Sequence, residues 1–205
     1  MAADAQQYFD RSPSSESREQ SFSLEWRGRS YRFITDNGVF SKGELDAGTA
    51  VLLTALPESF DGRFLDLGCG WGPVGILSGS RWTNACITMA DVNPRALALA
   101  GRNAAANGVQ AETVLSDGFE ALDGPFDLIA LNPPIRAGKE TVYRLFRECA
   151  EHLEPEGSLY IVMRKQQGAP SAQKYLRTLF EQVETVERRA GYHVFECKGS
   201  NCNAI

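Results

Sequence analysis

From residue 62 onward, short apolar runs alternate with stretches of helical spacing, and this rhythm narrows the fold more than any other feature. The runs "GRFLDLG" (62–68), "CITMADV" (86–92), "AETVLS" (111–116), "FDLIAL" (126–131) and "GSLYIVM" (157–163) read as strands. Between them, "PVGILSGSRW" (73–82), "PRALALAGRNAAANG" (94–108) and "KETVYRLFRECAEHL" (139–153) read as helices. The second of these has Pro in its first turn and Gly at its end, the usual asymmetry of helix signals. A helix, "SAQKYLRTLFEQ" (171–182), and two strands, "VETVER" (183–188) and "YHVFECK" (192–198), complete the series. Strands alternating with helices imply an α/β fold, a mostly parallel sheet covered on both faces.

Upstream, residues 1–20 are polar and Ser-rich and are expected to be a mobile lead. "SFSLEW" (21–26) and "RSYRFIT" (29–35), joined at Arg27-Gly28-Arg29, alternate apolar and polar residues and predict a β-hairpin. "LDAGTAVLLTAL" (45–56) predicts a helix stopped by Pro57. The expected division is a lead at 1–20, a hairpin arm at 21–44, one domain at 45–198 and a tail at 199–205. A chain of 205 residues, 43% hydrophobic, can bury one good core.

The net charge of −5 argues against a protein that coats DNA. The charge is uneven, however. Residues 1–135 hold 10 Lys/Arg against 17 Asp/Glu, and residues 136–205 hold 11 against 9, so a local basic patch remains open. The five cysteines form no CxxC pair and the only histidines are His152 and His193, a composition that suits neither a zinc site nor a disulfide framework. With no apolar leader segment, the expectation is a soluble cytoplasmic protein without metal or membrane partner.

"FLDLGCGWG" (64–72) joins the first core strand to its helix. Gly68, Gly70 and Gly72 allow a tight turn and a close approach to a ligand, at the strand edge where open α/β sheets bind ligands. Asp66 precedes the loop. A carboxylate there would repel a phosphate but welcome an ammonium or sulfonium, which favours S-adenosylmethionine over a dinucleotide. Asp91 ends the next strand, placed to accept ribose hydroxyls. Asp117 follows at the third strand tip, where it could take an adenine amino group with Phe119 against the ring. Each Asp taken singly could instead be a helix or turn cap.

Together "GVFSKGELDAGTAVLL", "LDLGCGWGPVGI", "ADVNPRAL", "NPPIRAGK" and "RKQQGAPSAQKYL" resemble the class I S-adenosylmethionine-dependent methyltransferases. More narrowly, they resemble the methyltransferase small domain group that includes the small-subunit ribosomal RNA guanine-N2 methyltransferases. The resemblance implies a Rossmann-like, doubly wound seven-stranded sheet whose last strand is antiparallel. It implies cofactor contacts from Asp66, Gly68, Cys69, Gly70, Gly72, Asp91, Val92, Asp117, Gly118, Phe119 and Asn132, with the Cys69 side chain a small loop filler. Members often carry a duplicated, non-catalytic N-terminal half that is missing here, so substrate docking is expected to differ.

The resemblance also gives meaning to "LNPPI" (131–135). It puts Asn132 beside the transferable methyl. A guanine N2 amine is a poor nucleophile, and two acceptors, Asn132 Oδ1 and the Pro133 carbonyl, could hold its hydrogens and aim its lone pair. Pro133 and Pro134 are expected to keep that carbonyl free of neighbouring N–H groups. Ile135 stands where relatives acting on adenine or glutamine amides commonly have an aromatic residue, which favours guanine. Arg136, Lys139, Arg164 and Lys165 follow strand ends on the same edge, where they could meet RNA phosphates, and Lys42 joins them. The expected activity is N2-methylation of a guanine in small-subunit ribosomal RNA, within an assembled subunit. The competing readings are methylation of a protein glutamine or an adenine amine, and a non-catalytic RNA-binding module.

Overall fold

An antiparallel hairpin, β1 (Gln20–Trp26) and β2 (Arg29–Thr35), opens the chain in the computed structural model, which describes residues 16–39 and 43–201. There follow α1 (Ala47–Ala55), β3 (Arg63–Leu67), α2 (Pro73–Gly79), β4 (Cys86–Asp91), α3 (Pro94–Ala106), β5 (Ala111–Leu115) and β6 (Phe126–Leu131). The chain then forms α4 (Lys139–Glu151), β7 (Leu153–Arg164), α5 (Ala169–Leu179), β8 (Phe180–Arg189) and β9 (Tyr192–Ser200). Seven strands make one sheet in the order β5-β4-β3-β6-β7-β9-β8, and only β9 runs against the others. No described helix is long and apolar enough to cross a membrane.

The central strands are buried on both faces, so each face carries its own apolar layer. Leu52 of α1, Ile76 of α2 and Leu99 of α3 pack over one face with Phe64, Leu128 and Val162. Phe146 of α4 and Leu176 of α5 cover the other with Leu65, Ile129 and Ile161. The strand order reverses at β3, whose neighbours are β4 and β6. That reversal opens a crevice at the carboxyl ends of the strands.

The hairpin docks on the back of the glycine loop. Trp71, 2% exposed, packs edge-on to Phe33 at 4.7 Å and Phe22 at 5.5 Å. Asn103 of α3 and the helix's C-cap, Asn107, one turn apart, stand in for a further strand beside β2. Asn103 Oδ1 accepts from the Ile34 N–H (2.8 Å), while its amide N–H groups donate to the carbonyls of Ile34 and Trp71 (both 2.9 Å). Asn107 makes the same paired contact with the backbone of Arg32.

Several boundaries differ from the sequence expectation. The helix expected through residue 182 stops at Leu179, because Phe180, 1% exposed, pairs with Ser200 as the first residue of β8. The expected tail begins inside β9: Ser200 is a strand residue whose hydroxyl donates to the Ala150 carbonyl at 2.7 Å. β7 starts at Leu153, paired with Phe126, four residues before the expected strand. The helix expected over 73–82 ends at Gly79, and the Trp82 indole N–H instead donates to the Pro57 carbonyl at 3.2 Å. The end of the expected lead is held in place, with Ser17 and Arg18 donating to the Asp36 carboxylate; residues 1–15 lie outside the described residues.

Candidate functional site

A cavity of about 740 Å³ occupies the crevice, within the range of small-ligand sites. The glycine loop after β3 forms part of its wall. Gly68 (φ +71°) and Gly70 (φ +57°) have left-handed backbones, and a Cβ on either would meet no heavy atom within 4 Å. Both belong to the cavity lining, so their bare Cα atoms form a cradle. Gly72 (φ +89°) differs from expectation. A Cβ there would lie 2.9 Å from Ile76 and 3.2 Å from Ala100, so this glycine serves the packing of α2 on α3 and does not line the cavity.

The strand-tip carboxylates are held by backbone donors. Asp91, at the end of β4, accepts from the Gly70 N–H on Oδ2 and from the Asn93 N–H on Oδ1, both at 2.8 Å. A carboxylate offers about four lone pairs, so acceptor capacity remains for a ribose hydroxyl. Burial raises its pKa, against the N–H groups of Asn93, Gly70 and Val92. Asn93 in turn caps α3 through the N–H groups of Arg95 and Ala96, which fixes the strand-to-helix turn. Asp66, 4% exposed, accepts from the Gly75 N–H at 2.8 Å. Burial lifts its pKa to about 7 against the pull of that N–H, and the Asp91 charge adds to the rise. Burial and both carboxylates also hold the Cys69 thiol well above the usual range, which leaves it protonated and without a nucleophilic role.

Val92, Asp117 and Gly118 also line the cavity. Asp117 is tied to Arg144 of α4 by an ion pair at 2.6 Å. Phe119, expected against an adenine ring, is not part of the lining. It is 7% exposed and stacks on His152 at 4.3 Å, because the turn after β5 directs its ring into the α4 layer.

Asn132 follows β6, and its amide is clamped by α1. Its Nδ2 donates to Thr49 Oγ1 (3.1 Å) and Asp46 Oδ2 (3.4 Å). Asp46 is also the N-cap of α1, accepting the Thr49 N–H at 3.0 Å. With both amide hydrogens committed, Oδ1 is the atom left to accept. Asp46 and Thr49 line the cavity, and in the sequence both fall only within a predicted helix.

The Pro133 carbonyl is not free as expected. It accepts the Ile135 N–H at 2.8 Å across Pro134, whose φ of −74° and ψ of 76° make an inverse γ-turn. The turn fixes the direction of that carbonyl and leaves it one lone pair. Residues 135–137 then form a single 3₁₀ turn. Pro133, Pro134, Ile135 and Arg136 line the cavity, as do Arg164 and Tyr192. Lys139 and Lys165 do not; Lys139 Nζ lies 5.0 Å from the Tyr143 ring centroid. Lys42 lies outside the described residues. Among the described residues no group of three or more His, Cys, Asp or Glu could hold a metal ion.

A bare-Cα cradle beside paired carboxylates fits a cofactor that carries both a ribose and a positive charge. Comparison with known proteins agrees. Residues 30–196 match the methyltransferase small domain family. The uncharacterized protein YbxB of Bacillus subtilis is 40% identical over 198 residues, covering 95% of this chain and 98% of that protein. Ribosomal RNA small subunit methyltransferase C of Haemophilus influenzae is 37% identical over 165 residues, covering 78% of this chain and 49% of the relative. The solved T. thermophilus 16S rRNA N2 G1207 methyltransferase, in complex with AdoMet and guanosine, superposes with a TM-score of 0.79 at 26% identity, over 88% of this chain and 50% of that one. The chain thus spans about half the length of these two rRNA methyltransferases. It belongs to the methyltransferase small domain family and is a methyltransferase that uses S-adenosylmethionine.

Proposed function

We propose that the protein methylates the N2 amino group of a guanine in small-subunit ribosomal RNA. One observation carries the reading: the Asn132 amide is turned by Asp46 and Thr49 so that Oδ1 accepts, next to a carbonyl whose direction a γ-turn holds. S-adenosylmethionine supplies an electrophilic methyl group. Asp91 takes the ribose hydroxyls, and the Gly68–Gly70 cradle lets the backbone come close. Asn132 Oδ1 and the Pro133 carbonyl accept the two N2 hydrogens and draw the amine towards a tetrahedral shape, so its lone pair leaves the ring system and points at the methyl. Orientation and electrostatics supply the rate gain. With S-adenosylmethionine bound, the N–C bond would form as the C–S bond broke, its electron pair going to sulfur, and the N2 proton would pass to water, so no strong base is needed.

Relatives named as small-subunit rRNA methyltransferases support an RNA substrate. An acidic chain of net charge −5 with basic residues at one rim suits a target already shaped, such as an assembled subunit in the cytoplasm. The test is to offer labelled cofactor with unmodified small subunits, naked rRNA, tRNA or release-factor protein, and to identify the product by mass spectrometry. N2-methylguanosine from small subunits is the expected outcome. Label found only on adenine or on glutamine refutes the guanine assignment, and cofactor binding without any transfer points to a binding module.

A further inference from the structure

The cavity has an aromatic wall that the proposed chemistry has not used. Tyr192, the first residue of β9, lines the cavity together with Asn132 and Ile135. Its ring lies against the first turn of α1: a Cβ on Gly48 would come within 2.9 Å of it. Tyr192 pairs in register with Arg164 of β7 on one side and with Arg189 of β8 on the other. Cross-strand partners point to the same face of a sheet, so the three side chains form a row, Arg–Tyr–Arg. The Arg164 guanidinium stands 5.9 Å from the Tyr192 ring centroid.

The row is rigid. Ala190 (φ +51°) and Gly191 (φ +79°) both have left-handed backbones, as a two-residue hairpin turn requires, and the Gly191 carbonyl accepts the Lys165 N–H at 2.8 Å. Arg164 and Arg189 are exposed, and among the described residues neither forms an ion pair.

Resting on the guanine reading above, we propose that Arg164, Tyr192 and Arg189 form a binding site for the single-stranded RNA segment that carries the target base. A base stacks on Tyr192, supplying the aromatic contact that Ile135 cannot give, and the two guanidiniums hold flanking phosphates. Interleaved aromatic and basic groups are the physical requirement for gripping a single strand without reading its sequence. A duplex must first unpair and unstack a base before presenting it to the tyrosine, which costs about a few kcal/mol.

The test measures binding of a short single-stranded oligoribonucleotide with a central guanine, by fluorescence anisotropy over a salt series, against a duplex of equal length. The single strand should bind more tightly. Arg189→Ala should weaken binding and reduce the slope of log affinity against log salt by about 0.7, the value of one phosphate contact on a single strand. Tyr192→Ala should weaken binding about tenfold or more with the slope unchanged, and Tyr192→Phe should keep wild-type affinity. S-adenosylmethionine affinity should stay constant throughout, which monitors folding. Wild type that prefers the duplex or does not bind, or an Arg189→Ala protein with unaltered slope, overturns the site. The guanine reading fails separately: methyl transfer to another base leaves the row standing, whereas guanine methylation with indifferent variants removes it.

Discussion

Replacing Asn132 by Asp changes little in shape but reverses the logic of its clamp. In the native protein Asn132 Nδ2 is 3.4 Å from Asp46 Oδ2 and 3.1 Å from Thr49 Oγ1. A carboxylate oxygen in the place of Nδ2 would face the Asp46 carboxylate at that separation. Two unit charges so placed repel by on the order of 5 kcal/mol at an effective dielectric constant of 20. The new side chain must swing away or take up a proton, and either displaces the acceptor proposed to orient the substrate amine. We expect Asn132→Asp to slow methyl transfer at least a hundredfold or so, as when one oriented polar group is removed from an active site. The loss should shrink as pH falls, because a protonated Asp at 132 can donate to Asp46 as the amide does. Asp46→Asn alone should be mild, since Asn also caps helices. Combined with Asn132→Asp it removes the opposing charge, and the Thr49 hydroxyl can turn to donate to the new carboxylate. The double variant should recover at least about tenfold over Asn132→Asp, a coupling of about 1.4 kcal/mol. Single-turnover transfer to unmodified small subunits across neutral pH measures this, with calorimetry confirming constant cofactor affinity. Single-variant effects that simply add, with no recovery, would refute the clamp.

Other consequences are directly measurable. Asp91→Ala removes the carboxylate that holds Gly70 and Asn93 and is assigned to the ribose, so S-adenosylmethionine binding should weaken by about 1.5–3 kcal/mol; equal calorimetric affinities would exclude that assignment. Asp66 has a folded pKa of about 7, above its ordinary 3.8, so folding favours its neutral form and this group's contribution to stability falls as pH rises from about 4 to about 7. A cationic cofactor favours the ionised form, so its binding should release a proton below about pH 7, seen by calorimetry in buffers of different ionisation enthalpy and absent in Asp66→Asn. Asn103→Leu strands three backbone partners, two part-buried ones on Ile34 of β2 and a buried one on Trp71, and should cost about 3 kcal/mol in urea denaturation; an unchanged midpoint would show that the hairpin is not docked there.

Much of the architecture was legible because it is written in local periodicity. The runs that became β3, β4, β5 and β6 are apolar over short lengths bounded by turn residues, and their alternation with the helices already implies a mostly parallel sheet covered on both faces, whereas the doubly wound order was implied by the family resemblance. Asp66, Asp91 and Asp117 could be placed at strand tips for the same reason. Boundaries were harder wherever sheet pairing overrode helical spacing, as at Phe180, or extended a strand past its apolar run, as at Leu153 and Ser200.

What one dimension could not supply is the meeting of distant residues. In the sequence Asp46 falls only within a predicted helix, and folding alone brings its carboxylate to Asn132, 86 residues away. Arg189 reads as one more surface charge until β9 inserts between β7 and β8 and sets it beside Tyr192 and Arg164. Phe119 and Gly72 err in the opposite sense: motif position suggested a ligand, and packing turned both inward. By itself the sequence determined which elements form and which carboxylates stand at their ends, since hydrophobic period and turn chemistry act over a few residues. The tertiary structure alone decided which way each side chain faces and what it touches, because those depend on strand order and layer packing between segments far apart in the chain.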